Sequence, residues 1–179
     1  MSGKEKSELK LYISQDKISN RIKELASEIN RDYKDRKPIF IGILNGSFIF
    51  LSDLIREIKI DCEIDFLKLS SYGDEKITSG EVTLLKDLNC KIENEDIIIV
   101  EDIVDSGLSV KFIKNLIEER KPASLKFVSL LFKNGISNLD FEIDYIAFRI
   151  ENDFVVGYGL DFAQKYRNLK EIYVLSNNN

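Results

Sequence analysis

A chain of 179 residues, 44% of them apolar, is long enough to bury one full hydrophobic core and too short to favour two. Its formal charge of -5 excludes a surface built to gather nucleic acid or anionic lipid, since both need a basic footprint. It contains no histidine, which excludes Ser-His-Asp and Cys-His catalysis and every histidine-containing metal site. A base must then be a carboxylate, Lys, Tyr or Cys, and a metal must be a hard, oxygen-liganded ion such as magnesium. Cys62 and Cys90 have no CxxC spacing and read as small hydrophobes. The polar start MSGKEKSELK and the lack of a span-length apolar run predict a soluble cytoplasmic protein without membrane contact.

In chain order, Leu9–Ile13 predicts a short strand. Ser14 suits the N-cap of a helix in which Ile18, Ile22, Leu25, Ala26 and Ile29 recur at helical spacing to about Tyr33. Lys34–Pro38 breaks it, Ile39–Leu44 reads as a buried strand, and Asn45-Gly46 turns into a second helix with Phe48, Leu51, Leu54 and Ile55 on one face. Ile64, Phe66, Leu67 and Leu69 mark a strand running into Ser70-Ser71-Tyr72-Gly73 and a polar stretch to Gly80, with Glu81–Lys86 returning as a strand. A connection of that length is either a functional lid or structureless. After the turn-rich Asp87–Glu95, Ile97–Val100 form an unbroken apolar run, the pattern of a strand covered on both faces of a parallel sheet. Glu101 and Asp102 stand where that strand is expected to end.

Ser109 opens a helical pattern through Val110, Ile113, Leu116 and Ile117, closed by Pro122. Leu125–Phe132 reads as a further buried strand, and Tyr145–Ile150, Phe154–Tyr158 and Glu171–Leu175 as three more extended runs; Asn177–Asn179 reads as a frayed tail. Alternating strands and helices predict a single α/β domain over residues 1–179, a mainly parallel twisted sheet flanked by helices.

In such a sheet ligands bind beyond the C-terminal strand ends, so Val100–Ser109, VEDIVDSGLS, points into the site. Asp105-Ser106-Gly107-Leu108-Ser109 offers successive backbone N–H groups and two hydroxyls at a helix N-terminus, a seat for one phosphate. It has neither the Lys of a Walker loop nor the glycine spacing of a dinucleotide fingerprint. Glu101 and Asp102 suit hydroxyl groups or magnesium, and a phosphate seat beside diol acceptors describes a ribose 5-phosphate. Two other readings use the same residues: a helix whose acidic start merely complements its dipole, and a phosphoacceptor receiver domain whose carboxylates hold magnesium.

VEDIVDSGLS resembles the phosphoribosyl-diphosphate (PRPP) motif of the type I phosphoribosyltransferases, and from about Ile39 to Leu175 the chain is similar to their hypoxanthine-guanine branch. The resemblance implies that Glu101 and Asp102 accept hydrogen bonds from the ribose hydroxyls while Asp105, Ser106, Gly107, Leu108 and Ser109 wrap the 5-phosphate. GILNGSFIF resembles that branch's pyrophosphate loop, placing Asn45 and Gly46 at the diphosphate next to a Leu44–Asn45 peptide that is often cis in the branch. Asn45 stands where the branch commonly has Lys, so a cation is missing there. Ser71 and Tyr72 resemble the lid pair, Lys133 the donor to purine O6, and Phe154 the ring that stacks on the base. Val155 matches a carbonyl acceptor at the base, Asp161 a magnesium ligand beside the purine, and Arg167 a diphosphate contact. Magnesium is the implied cofactor, on Glu101, Asp102 and Asp161, and the terminal segments are implied to form a small hood.

The activity so implied is transfer of the phosphoribosyl group from PRPP to N9 of hypoxanthine, and of guanine, giving IMP or GMP and pyrophosphate. Asp105 is then the proton acceptor near N7, its basicity raised in a closed, dry site beside Glu101 and Asp102. The implied partners are PRPP, a 6-oxopurine and further copies of the chain in a homodimer or homotetramer, with the helix at Phe48–Ile58 as the interface. A xanthine-preferring enzyme and a non-catalytic PRPP-sensing regulator that binds nucleic acid are the alternatives; the acidic charge and the base-reading residues weigh against the regulator.

Overall fold

The computed structural model describes residues 8–71, 82–135 and 139–176, Ser71 by its backbone alone. The expectations for Tyr72, Gly73 and the stretch to Glu81, and for the tail Asn177–Asn179, lie outside the described residues.

Two sheets carry the chain. β1 (Glu8–Ile13) leads into α1 (Gln15–Asp32), where Ser14 accepts from the Lys17 N–H and Ile18, Ile22, Leu25, Ala26 and Ile29 are buried along one stripe, as their spacing predicts. β2 (Ile39–Leu44), α2 (Phe48–Glu57), β3 (Glu63–Ser71), β4 (Val82–Lys86), β5 (Asp96–Val104), α3 (Leu108–Glu118), β6 (Ser124–Lys133) and β7 (Tyr145–Ile150) follow. Six of these strands form one sheet in the order β4-β3-β2-β5-β6-β7, parallel except at the β3–β4 edge. β8 (Val155–Val156) and β9 (Ile172–Ser176) join β1 in an antiparallel three-stranded sheet, the hood made by the terminal segments.

The centre of the large sheet is β5. Ile97, Ile98, Ile99 and Val100 are fully buried, and they alternate between two cores. Ile98 and Val100 pack with residues of α1 and α2, whereas Ile97 and Ile99 pack with Val110, Ile113 and Ile117 of α3. At about 1.5–3 kcal/mol per buried aliphatic side chain, this strand holds the two helical layers together and fixes where its far end lies.

Four details depart from the sequence reading. β5 does not end at Glu101 and Asp102 but runs to Val104, because the ten-residue β6 continues the ladder with Glu101 opposite Ser129, Ile103 opposite Leu131 and Val104 opposite Phe132. Backbone pairing thus overrides the poor strand propensity of two acids. On α2 the buried stripe is Phe50, Leu51 and Leu54, leaving Phe48 at its margin and 45% exposed. α3 begins at Leu108 rather than Ser109, with Gly107 as a left-handed cap at φ 82°. The run Phe154–Tyr158 narrows to β8, since Gly157, Tyr158 and Gly159 take positive φ and curl the chain out of the ladder.

One buried charge escaped the sequence reading. Asp65, on β3, accepts hydrogen bonds from the backbone N–H groups of Phe66 (2.7 Å), Asn89 (2.6 Å) and Cys90 (2.9 Å), and so pins the turn before β5. Burial works to raise its pKa, but these donors outweigh burial and hold the carboxyl well below the usual range. A carboxyl depressed in the folded state stabilises the fold above its unfolded pKa of about 4, and that stability is lost as pH falls. Asp65→Asn is expected to cost about 1–3 kcal/mol at pH 7 and distinctly less at about pH 2, because the stability that a depressed carboxyl contributes shrinks as pH falls from its unfolded pKa toward its lower folded one. Thermal unfolding at the two pH values checks this; an equal loss at both would show that charge is not what matters at this position.

Candidate active site

The C-terminal ends of β2, β3 and β5 open onto a cleft of about 530 Å³. Asn45 and Gly46 come from the β2–α2 turn, Lys68 and Ser70 from the end of β3, and Glu101 and Asp102 from β5. The turn Asp105, Ser106, Gly107 with Ser109, and the segment carrying Asp161, Gln164 and Arg167, close the other sides. A smaller cavity of about 340 Å³ lies apart from the strand ends, among α1, α2 and the segment after Tyr158.

The β2–α2 turn is in contact with β5. The Leu44–Asn45 peptide is cis. A Cβ added at Gly46 would stand 1.5 Å from Asp102 Oδ2, so only glycine leaves room for that carboxylate. Behind it, a Cβ at Gly159 would stand 2.2 Å from the Gly46 carbonyl oxygen, and Gly159 also adopts φ 99°. Gly46 is therefore held between the carboxylate and the backbone of the 159–167 segment.

Glu101 is buried and Asp102 half-buried. Burial first, and the neighbouring like charge second, push the Glu101 carboxyl well above its ordinary value. Asp102 is also raised, mainly by burial, although the Ile103 N–H at 2.8 Å and the Arg167 charge oppose the shift. Two adjacent acids largely withdrawn from water are an unfavourable arrangement by themselves; hydroxyl donors or a hard cation relieve it.

At the phosphate turn the left-handed Gly107 lets its carbonyl accept from Lys111 N–H at 3.0 Å, while Ser106 Oγ takes the Leu108 N–H at 3.4 Å. The first N–H groups of a helix have no acceptor within it, and those of α3 open toward the cleft, where Ser109 lines the wall. The Leu108 side chain is 54% exposed and is not part of that wall.

Register brings Asp105 to Lys133. Val104 pairs with Phe132, so the next residues on β5 and β6 stand side by side, and Lys133 Nζ lies 3.0 Å from Asp105 Oδ2 and 3.3 Å from Asn152 Oδ1. Lys133 is 7% exposed, whereas the Asp105 side chain is 53% exposed. Asp105 thus gains a lysine partner, at a solvent-facing edge of the cleft that it lines together with Glu101 and Asp102. Lys133, Phe154 and Val155 lie outside the cleft wall. Asp105, which lines that wall, ties Lys133 to it, and Asn152 ties Lys133 to the segment in which, two residues further on, Phe154 is 52% exposed and packs edge-on against Phe162 at 5.7 Å, with Val155 buried in β8.

Asp161 and Arg167 hold each other. Arg167 Nη2 lies 2.6 Å from Asp161 Oδ1, and Nη1 donates to the Gly159 carbonyl at 2.8 Å. Gln164 completes the loop by donating its N–H to Asp161 Oδ2 and accepting from Arg167. Among the described residues no three acidic side chains are close enough to hold a metal unaided, so Glu101, Asp102 and Asp161 do not form a ready-made cage. Sequence reasoning missed Lys68, Gln164 and Asn152. Lys68 is a lone charge in an apolar strand pattern, and the other two carry no local signal. For the lid pair, Ser71 ends β3, and Tyr72 lies outside the described residues.

A parallel sheet with an acid pair and a phosphate-sized turn at the end of its central strand, roofed by a small antiparallel hood, defines a nucleotide-forming transferase of the phosphoribosyl class. The chain belongs to the phosphoribosyl transferase domain family, whose model matches residues 13–163. It is 44% identical over 166 residues to the hypoxanthine-guanine phosphoribosyltransferase of Bacillus subtilis, covering 93% of this chain and 92% of that one. It is 43% identical to the bifunctional protein TilS/HprT of Listeria monocytogenes, of whose length it spans about a quarter, 26%. A crystal structure of a hypoxanthine-guanine phosphoribosyltransferase from Bacillus anthracis superposes with a TM-score of 0.89 at 44% identity, covering 94% of this chain and all of that one.

Proposed function

We propose that this chain is a purine-salvage enzyme that transfers the phosphoribosyl group of PRPP to N9 of hypoxanthine or guanine and releases pyrophosphate. The observation that carries the reading is the Asp105–Lys133 pair, 3.0 Å apart at the boundary between the acid-and-phosphate cleft and the segment bearing Phe154 and Val155. A ribose 5-phosphate seated on Ser106–Ser109, with its hydroxyls on Glu101 and Asp102, directs C1 toward that boundary.

In this reading the bond from C1 to the diphosphate breaks as N9 attacks from the purine side. A Lys ammonium has three donors; two meet Asp105 and Asn152, and the third is available to a 6-oxo group. When Lys133 turns to O6, an Asp105 oxygen is released to take the proton at N7, the general-base step that a chain without histidine assigns to a carboxylate. Phe154 offers an exposed ring face for stacking, and the Val155 carbonyl an acceptor for the base. Asn45, Gly46 and Arg167 line the diphosphate end; the lid expected of Ser71 and Tyr72 falls on the Ser71 side chain and on Tyr72, outside the described residues. Glu101, Asp102 and Asp161 would offer the hard oxygen donors that magnesium prefers, with substrate oxygens needed beside them because no group of three such ligands stands together among the described residues. When bound, magnesium neutralises the charge of the leaving diphosphate.

One domain, a cytoplasmic location and assembly of copies through α2, which exposes Phe48, belong to the same reading. No helix among the described residues is long and apolar enough to cross a membrane. Steady-state assays with PRPP, magnesium and each of hypoxanthine, guanine, xanthine and adenine test it: nucleotide is expected from the first two and not from adenine, and no nucleotide from any base would end the reading. Lys133→Ala is expected to lower the preference for 6-oxo over 6-amino purines by about tenfold to 100-fold, the worth of one charged hydrogen bond of about 1.5–3 kcal/mol. Base competition measures it, and an unaltered preference would remove Lys133 as the reader.

A further inference from the structure

We propose that Lys68 binds the diphosphate of PRPP, supplying from β3 the cation that the β2–α2 turn lacks at Asn45; the assignment rests on the transferase reading above. In the parallel β2–β3 ladder Lys68 is the register partner of Leu44, so its Cα stands one strand spacing, about 4.8 Å, from the residue that opens the turn. Its side chain is half-buried and lines the cleft together with Leu44, Asn45 and Gly46.

Charge distribution singles it out. Four acids line the cleft, Glu101, Asp102, Asp105 and Asp161, against two bases, Lys68 and Arg167. A diphosphate entering that field needs cationic donors beyond any metal it carries. Arg167 is already committed to Asp161 and to the Gly159 carbonyl, and outside the wall Lys133 is committed to Asp105 and Asn152. Lys86, which pairs with Lys68 across the β3–β4 ladder, donates to the carbonyls of Phe66 and Asp87 and faces Asp65. Among the described residues Lys68 forms no ion pair and no side-chain hydrogen bond, so of these lysines it is the one whose ammonium is not spent on the fold.

The location also sets what Lys68 does not touch. The 5-phosphate turn is on β5 and α3, and the base-side residues are beyond β6, whereas β3 lies on the other side of β2. Lys68 therefore binds the leaving group and leaves the product nucleotide alone.

The test is direct binding of two ligands, inorganic pyrophosphate and IMP, each with magnesium, to the wild type, Lys68→Met and Lys68→Arg by calorimetry. Methionine keeps the apolar stem and so preserves packing. Lys68→Met is expected to weaken pyrophosphate at least about tenfold, the lower bound for a charged hydrogen bond, with IMP changed less than about twofold on that argument. Lys68→Arg is expected to recover most of the loss. If the wild type binds both ligands and Lys68→Met binds pyrophosphate equally well, Lys68 is not the diphosphate cation and the transferase reading stands. Equal weakening of both ligands would likewise overturn the assignment, as a structural effect. If the wild type binds neither, the transferase reading fails and the assignment falls with it.

Discussion

Asp105→Asn is expected to lower turnover with hypoxanthine by about 10²- to 10⁴-fold, the usual worth of a positioned general base, while PRPP binding changes little. The amide is the informative replacement. Lys133 is 7% exposed and has Asp105 and Asn152 as its partners, so alanine would leave a buried ammonium on one neutral acceptor and mix base loss with misplacement of the lysine. Asparagine retains an oxygen for Nζ and removes only the capacity to take a proton. Because the Asp105 side chain is 53% exposed, its replacement creates no cavity, and a thermal melt reports what the buried Lys133 loses with its counter-charge. Single-turnover measurements with saturating PRPP separate the chemical step from product release. Turnover within about threefold of the wild type, well below the range for a general base, would transfer the role to another group.

Gly46→Ala carries the second large effect, and it is steric. The new Cβ would lie 1.5 Å from Asp102 Oδ2 and 2.4 Å from Asp102 Cγ, contacts that no atom pair tolerates. Asp102 cannot simply turn aside, since its Oδ1 is held by the Ile103 N–H at 2.8 Å within a β5 ladder that continues to Val104. Nor can the turn retreat, since the Gly46 carbonyl already abuts Gly159 so closely that a Cβ there would be 2.2 Å away. Relief must displace either the ribose acceptor or the diphosphate turn. We expect kcat/KM for PRPP to fall at least about 100-fold, as misplacement by about 1 Å does elsewhere, and stability to fall by about 1–3 kcal/mol from overpacking. Kinetics and a thermal melt report the two separately; near-normal values in both would mean that Asp102 has room to move.

Both variants act on residues found in the sequence, yet their size comes from contacts it does not show. Asp105 was legible as a third acid after a strand, in a turn whose Ser-Gly pair and helical sequel have local signatures. That its neighbour is Lys133 depends on β6 lying beside β5 in register, a placement that strand patterns leave open. Phe48 and Phe50 show the same limit at the level of packing. Both suit a helix face, and only the wall formed by α1 and the sheet selects Phe50 for the interior. Asp65 had no signal at all, since a lone acid in an apolar run reads as a break in the pattern until the turn at Asn89 and Cys90 is folded onto it.

By itself the sequence determined the order of strands and helices, the double-sided burial of Ile97–Val100, the glycine-bearing phosphate turn and, through the absence of histidine, the carboxylate nature of any base. These are properties of short windows, where side-chain period and turn chemistry act within a few residues. Only the tertiary structure decided that β3 sets Lys68 beside Leu44, that Gly46 leaves space for Asp102, that Arg167 is tied to Asp161, and that Asp105 meets Lys133. Each joins residues distant in sequence or across strands, and their proximity follows from strand order, register and the buried area that favours one arrangement of the layers over the others.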